Sequence, residues 1–479
     1  MKKRILAAIL AALLLLSATS CATEGNDSTA TTAAGDQTAA ATEADTAFFP
    51  DVEKTDYKDA TFRIIAASGE GQWYYAAEYQ NEAGNTGVLS NTIYEMNTLV
   101  EEHLGVELAF EYGGTTIYNT VSPTMMAGDD TYQLCATGSH FDTPDFVTTR
   151  SALDFYELDA LDLDQPYWNA EAMEQMSIGG HAYVGYGDLA SQGYYIFYCN
   201  KDMLEDVGMT VPYDDVRNGT WTFDKFASMT TGLYQDNGDG QRNNLDTFGF
   251  AASWDGLGTS MLQSADIFVL RKNGDDEFEL ALYSDRLVEM YDQLYRWSKD
   301  ESTQIWEYAA PEEKIVDFAA GQAYFTGGAL GTQYLDTELR VGILPLPKYD
   351  VAQENYCHLN RGHNLVIPTT VRDRDMIGDV LELMAFYSRT MVLEKYYDDV
   401  LQLRVSEAPD DRDMVVLIYD TVVFDPAITL CPGSDQLWEL THTTYSCLLQ
   451  GNANVTSYYQ RYAKAAEKWL SNLMRKLSR

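Results

Sequence analysis

The chain has 479 residues with 73 acidic against 32 basic side chains, a formal net charge of −41. That balance excludes nucleic-acid binding, which needs basic stripes to neutralise phosphate, and a second, electrostatic hold on anionic lipid. The length is too great for one compact core and calls for two or three domains. The acidic excess reads as a solvated surface that keeps a protein soluble, in preference to a site for a cationic ligand.

In chain order, Lys2, Lys3 and Arg4 precede an unbroken apolar run, Ile5 to Leu16, of 12 residues. This is too short to span a bilayer and fits the core of a signal peptide. Ser17-Ala18-Thr19-Ser20 then supplies small residues before Cys21. The arrangement resembles the bacterial lipobox, in which the cysteine is acylated and becomes the new N-terminus; Ala18 stands where leucine is commonest. The resemblance implies removal of residues 1–20, which leaves a net charge of −44, and a lipid anchor at Cys21. Thr23 to Ala47 is almost all Ala, Thr, Asp, Glu, Gly and Ser. Such a segment buries too little apolar surface to offset chain entropy, so residues 21–55 are expected to form a lipidated, disordered tether. No second apolar run approaches 18 residues, so nothing else is expected to span a membrane.

Residues 61–67 (TFRIIAA) are expected to form a strand. A helix capped by Ser90 or Asn91 should carry Ile93, Met96, Leu99 and Leu104 and stop at Gly105, followed by a strand from Val106 to Phe110. Strand, helix, strand at this spacing is a βαβ unit and implies a parallel sheet. Tyr132–Ala136, Tyr194–Cys199, Val341–Leu344 and Asn364–Ile367 are further strands; helices are expected near 373–389, 411–420 and 457–477. The class is α/β. Cys135 and Cys199 lie in apolar strands and read as buried packing residues. With Cys21 acylated an odd number of thiols remains, and sequence leaves open whether Cys431 and Cys447 pair. Trp168 and Trp221 are expected to be structural.

Five blocks then appear in order: 199–212 (CNKDMLEDVGMTVP), 219–226 (GTWTFDKF), 236–250 (DNGDGQRNNLDTFGF), 318–325 (FAAGQAYF) and 342–348 (GILPLPK). Over residues 60–475 they resemble the bacterial extracellular solute-binding proteins of the sugar type that serve ABC importers. The resemblance implies a periplasmic-binding-protein-like fold of two discontinuous α/β lobes joined by a multi-strand hinge, with ligand in the cleft. Lobe 1 is expected at 56–182 plus 363–400 and lobe 2 at 183–362 plus 401–479, with crossings near Ala182–Gly187, Cys357–His363 and residue 400. It also implies a carbohydrate ligand, an oligosaccharide first, delivery to ABC permease subunits, a monomer on the extracellular face of the cell membrane, no cofactor, and no catalysis. The alternatives are a cell-surface glycan-active enzyme and a glycan-adhesion lipoprotein. With so many acids, carboxylate pairs identify no glycosidase, and no G-x-S-x-G, H-E-x-x-H or P-loop is present.

Sugar sites pair aromatic faces, which stack on the apolar face of a pyranose, with polar groups that bond the hydroxyls. Such residues are expected in loops at strand ends: Trp73, Tyr74, His140, Asp142 and Asp188 on the first lobe; Trp254, Asp255 and Phe325 on the second; Arg361 and His363 at the second crossing. Trp254 is the expected aromatic anchor, because it directly follows a strand and stands beside Gly256 and Gly258, which let backbone approach a ligand; Trp73 is its expected counterpart across the cleft. In the GDG loop Asn237, Asp239 and Asp246 have partial EF-hand spacing, but Gln235 holds the first-ligand position and Asp246 replaces the final glutamate. A plain Asx/Gly turn is therefore preferred to a calcium site.

Overall fold

The computed structural model describes residues 50, 52–67, 89–138, 141–190, 193–307, 310–330, 339–395 and 409–477. Two sheets organise them: the predicted strands supply the whole of the first and, in the second, Tyr195–Asn200 and Val341–Leu344, whereas Thr303–Trp306 was not foreseen. The first combines β1 (Ala60–Ala67), β2 (Val106–Gly113), β3 (Leu134–Gly138) and β12 (His363–Val366) in the order β12-β3-β1-β2. β1 is parallel to β2 and β3, and β12 runs antiparallel to β3. β3 and β12 are buried along their whole length, as strands covered on both faces must be.

The helix between β1 and β2, α1 (Ser90–Leu104), ends where the sequence places its stop. Gly105 is left-handed at φ 58, and its N–H bonds the carbonyl of Glu101. A Cβ there would lie 2.6 Å from an Asp56 carboxylate oxygen, so both backbone and space require glycine. The helix start differs from expectation: Leu89 occupies the cap position, without a side-chain cap bond. α2 (Tyr118–Ala127) follows β2, and α3 (Thr143–Thr148) follows β3.

The second sheet has the order β10-β4-β9-β5-β8, from β4 (Tyr195–Asn200), β5 (Phe248–Ser253), β8 (Thr303–Trp306), β9 (Ala323–Ala329) and β10 (Val341–Leu344). β5 is parallel to β8 and β9; β4 is antiparallel to β9 and β10. Phe197, Phe226, Phe250, Phe325 and Trp297 form one aromatic cluster in this sheet's core. α4 (Trp254–Ser264) leaves the end of β5, and the hairpin β6 (Leu270–Lys272) and β7 (Phe278–Leu280) leads into α5 (Asp285–Ser298). Trp168 and Trp221 are buried, as expected of structural residues.

Three passages of chain lie side by side between the sheets. Gly185 bridges Leu365, the Arg361 N–H donates to the Gly193 carbonyl at 2.8 Å, and β11 (His358–Leu359) pairs with β13 (Val422–Val423). The crossing expected near residue 400 falls outside the described residues; the strand beside β11 is β13. After β12 come α6 (Arg374–Tyr387), which packs on α1, and α7 (Pro409–Asp420), which packs on β10. Asp411 of α7 holds a buried ion pair with Lys201 at 2.7 Å and accepts from Tyr213 and from the Ile343 N–H. The chain closes with α8 (Pro426–Leu430), α9 (Asp435–Thr441), α10 (Thr443–Leu449) and the 23-residue α11 (Val455–Leu477). Among the described residues no helix is long and apolar enough to cross a membrane. Cys135, Cys199, Cys357, Cys431 and Cys447 are all buried free thiols, so the open question of a Cys431–Cys447 bridge resolves to no bridge in this structure.

Candidate functional site

The carboxyl ends of β1 and β3 meet the start of antiparallel β12, where His363 pairs with Gly138 and its Nε2 lies 3.2 Å from the Ala67 carbonyl. Two residues before it, Arg361 is bonded to Gly193, which leads into β4 opposite the carboxyl end of β9. The carboxyl ends of both sheets therefore border the same connecting passages, the position where open α/β sheets hold ligands. The C-terminal helices close this region: α8 packs on α3 after β3, and α10 packs on α4 after β5.

The residues picked from sequence divide into distinct groups. Trp73, Tyr74, His140 and the side chain of Asp255 lie outside the described residues. Asp142 and His363 stand at the strand ends but face inward. One Asp142 oxygen accepts from the N–H groups of Ile117 and Tyr118 at 2.5 and 2.7 Å, which fixes the start of α2. The other is buried with no partner among the described residues, and burial raises this carboxyl above its ordinary range. His363 is fully buried, and loss of hydration pushes its imidazole down to about 4. Asp188 accepts from Arg389 at 2.8 Å, an ion pair between the first passage and the π-helical segment Ser388–Leu393 that continues α6. Burial raises the Asp188 carboxyl, and the guanidinium opposes the rise. Arg361 is half-buried beside the passage and close enough to Cys431 to act on its thiol electrostatically.

Two expectations are corrected by their placement. Phe325 sits in the middle of β9, paired with Cys199 and Phe250, its ring against Phe226; the strand runs on to Ala329, so this ring is core and not a strand-end platform. Trp254 opens α4 as expected from its position after β5, yet it is only 1% exposed. The neighbouring glycines serve packing. A Cβ at Gly256 would lie 2.3 Å from the Tyr195 ring, and one at Gly258 would lie 2.9 Å from the Trp254 indole nitrogen. The glycines let side chains close on α4, and the indole is part of what closes.

A second tryptophan has the opposite placement. Trp438 on α9 is 38% exposed, and its ring stacks on His442 with centroids 4.2 Å apart and planes at 26°. The His442 backbone and ring are both held by the Trp438 carbonyl, at 3.0 and 2.9 Å. The neighbouring Glu439 is fixed by the Tyr458 hydroxyl. The pair lies on the stretch of chain that joins α8, on α3, to α10, on α4. The sequence carried a signal for it: Trp and His four apart share one face of a helix.

The GDG loop bears out the turn reading. Asp236 accepts from the N–H groups of Gly238 and Gly240, Asp239 from Gln241 and from Asn243 Nδ2, and buried Asp246 from Tyr234, Asn237 and Asn243. Asp236, Asp239 and Asp246 bring one oxygen each within 4.8 Å of one another, so Asp236 replaces Asn237 in the carboxylate group.

No protein-family model and no curated sequence matches the chain. Solved structures do. An ABC substrate-binding protein from Listeria monocytogenes in complex with cycloalternan superposes with a TM-score of 0.57 at 15% identity, covering 86% of this chain and 99% of its own. The fold is that of the solute-binding proteins of ABC transporters. The maltose/maltodextrin-binding domain from Bdellovibrio bacteriovorus bound to maltotriose gives 0.55 at 14%, and a solute-binding protein from Thermotoga lettingae bound to α-D-tagatose gives 0.54 at 15%. Each of these two covers 86% of this chain and 100% of its own length.

Proposed function

We propose that this protein is the substrate-binding lipoprotein of an ABC importer, capturing a carbohydrate, an oligosaccharide first, between its two lobes and delivering it to permease subunits without altering it. The observation that carries the reading is the Trp438–His442 stack on α9, an indole partly open to solvent lying on a buried imidazole. A pyranose offers hydroxyls and one apolar face. Hydroxyl bonds largely exchange for bonds to water and net about 1 kcal/mol each, whereas stacking on a ring with few rotors removes apolar surface at small entropic cost. The solved proteins that share the fold hold sugars, which supports the class of ligand. The lipobox-like segment supports anchoring at Cys21 on the outer face of the cell membrane.

The test is a thermal-shift panel of cycloalternan, maltotriose, mannotriose and tagatose, because a ligand of the native state raises the melting temperature. A hit should be followed by calorimetry on Trp438→Ala, which is expected to lose about 2 kcal/mol, roughly 30-fold in Kd. No shift with any saccharide, or turnover of one that a single carboxylate substitution abolishes, overturns the reading; the latter outcome makes the protein an enzyme. For the anchor, Cys21→Ser is expected to release the protein to the medium or to block its processing.

A further inference from the structure

A cavity of about 530 Å³ opens where the helix Ala170–Met176, the β6–β7 hairpin and β13 meet. Small-molecule sites run from roughly 300 to 1,000 Å³. None of Asp142, Arg361, His363, Trp254 or Trp438 lines it, so it is a different place from the strand-end region and from the α9 stack. Its apolar surface comes from Ala172, Leu270, Val422 and Val423, with three partly exposed rings set among them, Phe268, Tyr419 and Phe424. Each ring is held in place by a neighbour. Phe424 meets Tyr186 edge to face at 4.7 Å, Tyr419 meets Tyr194 at 5.1 Å, and the Arg271 guanidinium lies 4.3 Å from the centre of the Phe268 ring. Rings fixed in this way contact a ligand at small entropic cost.

Polar groups from three elements stand around the rings with unused bonding capacity. The Asn169 carboxamide oxygen accepts from the Ala172 N–H at 2.9 Å, capping its helix, and the amide NH2 has no partner among the described residues. Gln175 donates to Glu171 at 3.3 Å and keeps its oxygen. Arg271 bonds Asp266 through one nitrogen, at 2.8 Å, and the rest of its fork is unpaired among the described residues. At the end of α7 the Asp420 carboxylate accepts from no described residue. Donors and acceptors are thus interleaved. An anion is not what they fit. Arg271 is paired with Asp266, Lys272 is engaged by Asp276, the Glu174 carbonyl and Ser177 at 2.6, 2.7 and 2.7 Å, and Glu171 and Asp420 add negative charge. A purely apolar ligand does not fit either, because it would take Arg271 and Asp420 out of water with nothing to bond. What fits is a neutral molecule with one apolar face and hydroxyls that both donate and accept, and a pyranose is such a molecule. We propose that this cavity is a second saccharide site, in which the three rings supply apolar contact and Asn169, Gln175, Arg271 and Asp420 bond hydroxyls. The site goes beyond the proposed function, which needs a single site, and shares with it only the class of ligand.

The test is calorimetric titration of the purified protein with maltotriose, mannotriose and tagatose. The wild-type protein is expected to take up a second equivalent of at least one of these sugars. Gln175→Ala combined with Arg271→Ala, both exposed positions on separate elements, is expected to weaken that second event roughly tenfold, the effect of losing two hydrogen bonds, and to leave the event that Trp438→Ala removes. Asp420→Ala, from the third element, is expected to weaken the same event and keeps the test decisive should the double variant melt early. Two events of wild-type affinity in both variants, or a single wild-type event that Trp438→Ala abolishes, overturns the second site and leaves the proposed function standing. A single event that Trp438→Ala leaves intact and the cavity variants lose upholds this site and overturns the α9 platform instead. Uptake of the dipeptide glycylglycine in place of every sugar, lost in the same variants, overturns the ligand class, and uptake of no sugar overturns both readings.

Discussion

Trp254 and Trp438 each stand beside a feature that sequence associates with ligands, and the fold treats them in opposite ways. Trp254 follows a strand and is flanked by Gly256 and Gly258; it is buried at 1% exposure. Trp438 lies inside an amphipathic helix, with no glycine near, and is the one exposed at 38%. The difference lies in what the glycines admit. Next to a strand end, absent Cβ atoms open space that the nearest aromatic rings fill. Tyr195 fills it at Gly256 and the indole itself fills it at Gly258. On a helix, a large side chain facing away from the packed stripe has nothing to fill and stays in water unless a ligand covers it.

The sharpest way to break this comparison is Trp254→Ala. If the indole is core, its removal leaves a cavity and costs about 3–5 kcal/mol, read as an early denaturant midpoint with unchanged slope. A variant of normal stability that fails to bind sugar would restore Trp254 as a ligand platform and reverse the assignment.

Gly256→Ala sharpens the reason for the burial. The Tyr195 ring is wedged between Gly256 and Gly327; the new Cβ would lie 2.3 Å from the ring at one side, and a Cβ at Gly327 would lie 2.5 Å from its hydroxyl at the other. The ring has nowhere to retreat, so overpacking is expected to cost about 1–3 kcal/mol. Tyr195→Leu in the Gly256→Ala background should recover part of that loss, and failure to recover would mean that the strain lies elsewhere.

These two regions also measure how far the sequence reached. Strand, helix and strand from Ala60 to Gly113 were legible because the apolar run of β1, the buried stripe of α1 and the αL stop at Gly105 are local signals. The five sugar-binder blocks pointed to the two-lobed fold, and the Asx/Gly turn at 236–246 was legible from its spacing. Site residues were less legible. Asp142 and His363 were rightly placed at strand ends, but direction is set by tertiary packing: one caps α2, the other reaches across to Ala67. Phe325 failed because β9 does not stop before it but runs four residues further on, through Gly327 and Gly328, to Ala329. Trp438 was missed because candidates were sought only after strands.

Histidine supplies the next contrast. Burial pushes His358 down to about 3 and His363 down to about 4, against 6.5 unfolded. The folded state therefore refuses protons that the unfolded chain accepts, so the stability these groups contribute is intact above pH 6.5 and is lost as pH falls toward their folded values. Between pH 7 and 5 each costs roughly 2 kcal/mol. The buried acids Asp142, Glu382 and Asp425 are raised above their ordinary values, so they oppose this loss by taking up protons in the folded state first. His363→Asn should flatten the acid limb of a stability–pH curve by about one proton; an unchanged limb would mean that the acids, not His363, govern it.

The smallest expected effect is the one that decides the comparison from the other side. Trp438 is partly exposed on α9, its only described ring partner is His442, and the residues that fasten α9 are Leu437, Leu440 and Thr441, all buried. Replacing it with alanine removes one stacked contact and improves local helix propensity, terms of similar size and opposite sign. The melting temperature of Trp438→Ala is thus expected to stay within the range of ordinary surface substitutions, about 0.5 kcal/mol either way. A loss above about 2 kcal/mol in Trp438→Ala would mean that the indole, like that of Trp254, is a packing residue, and the platform assigned to α9 would fall with it.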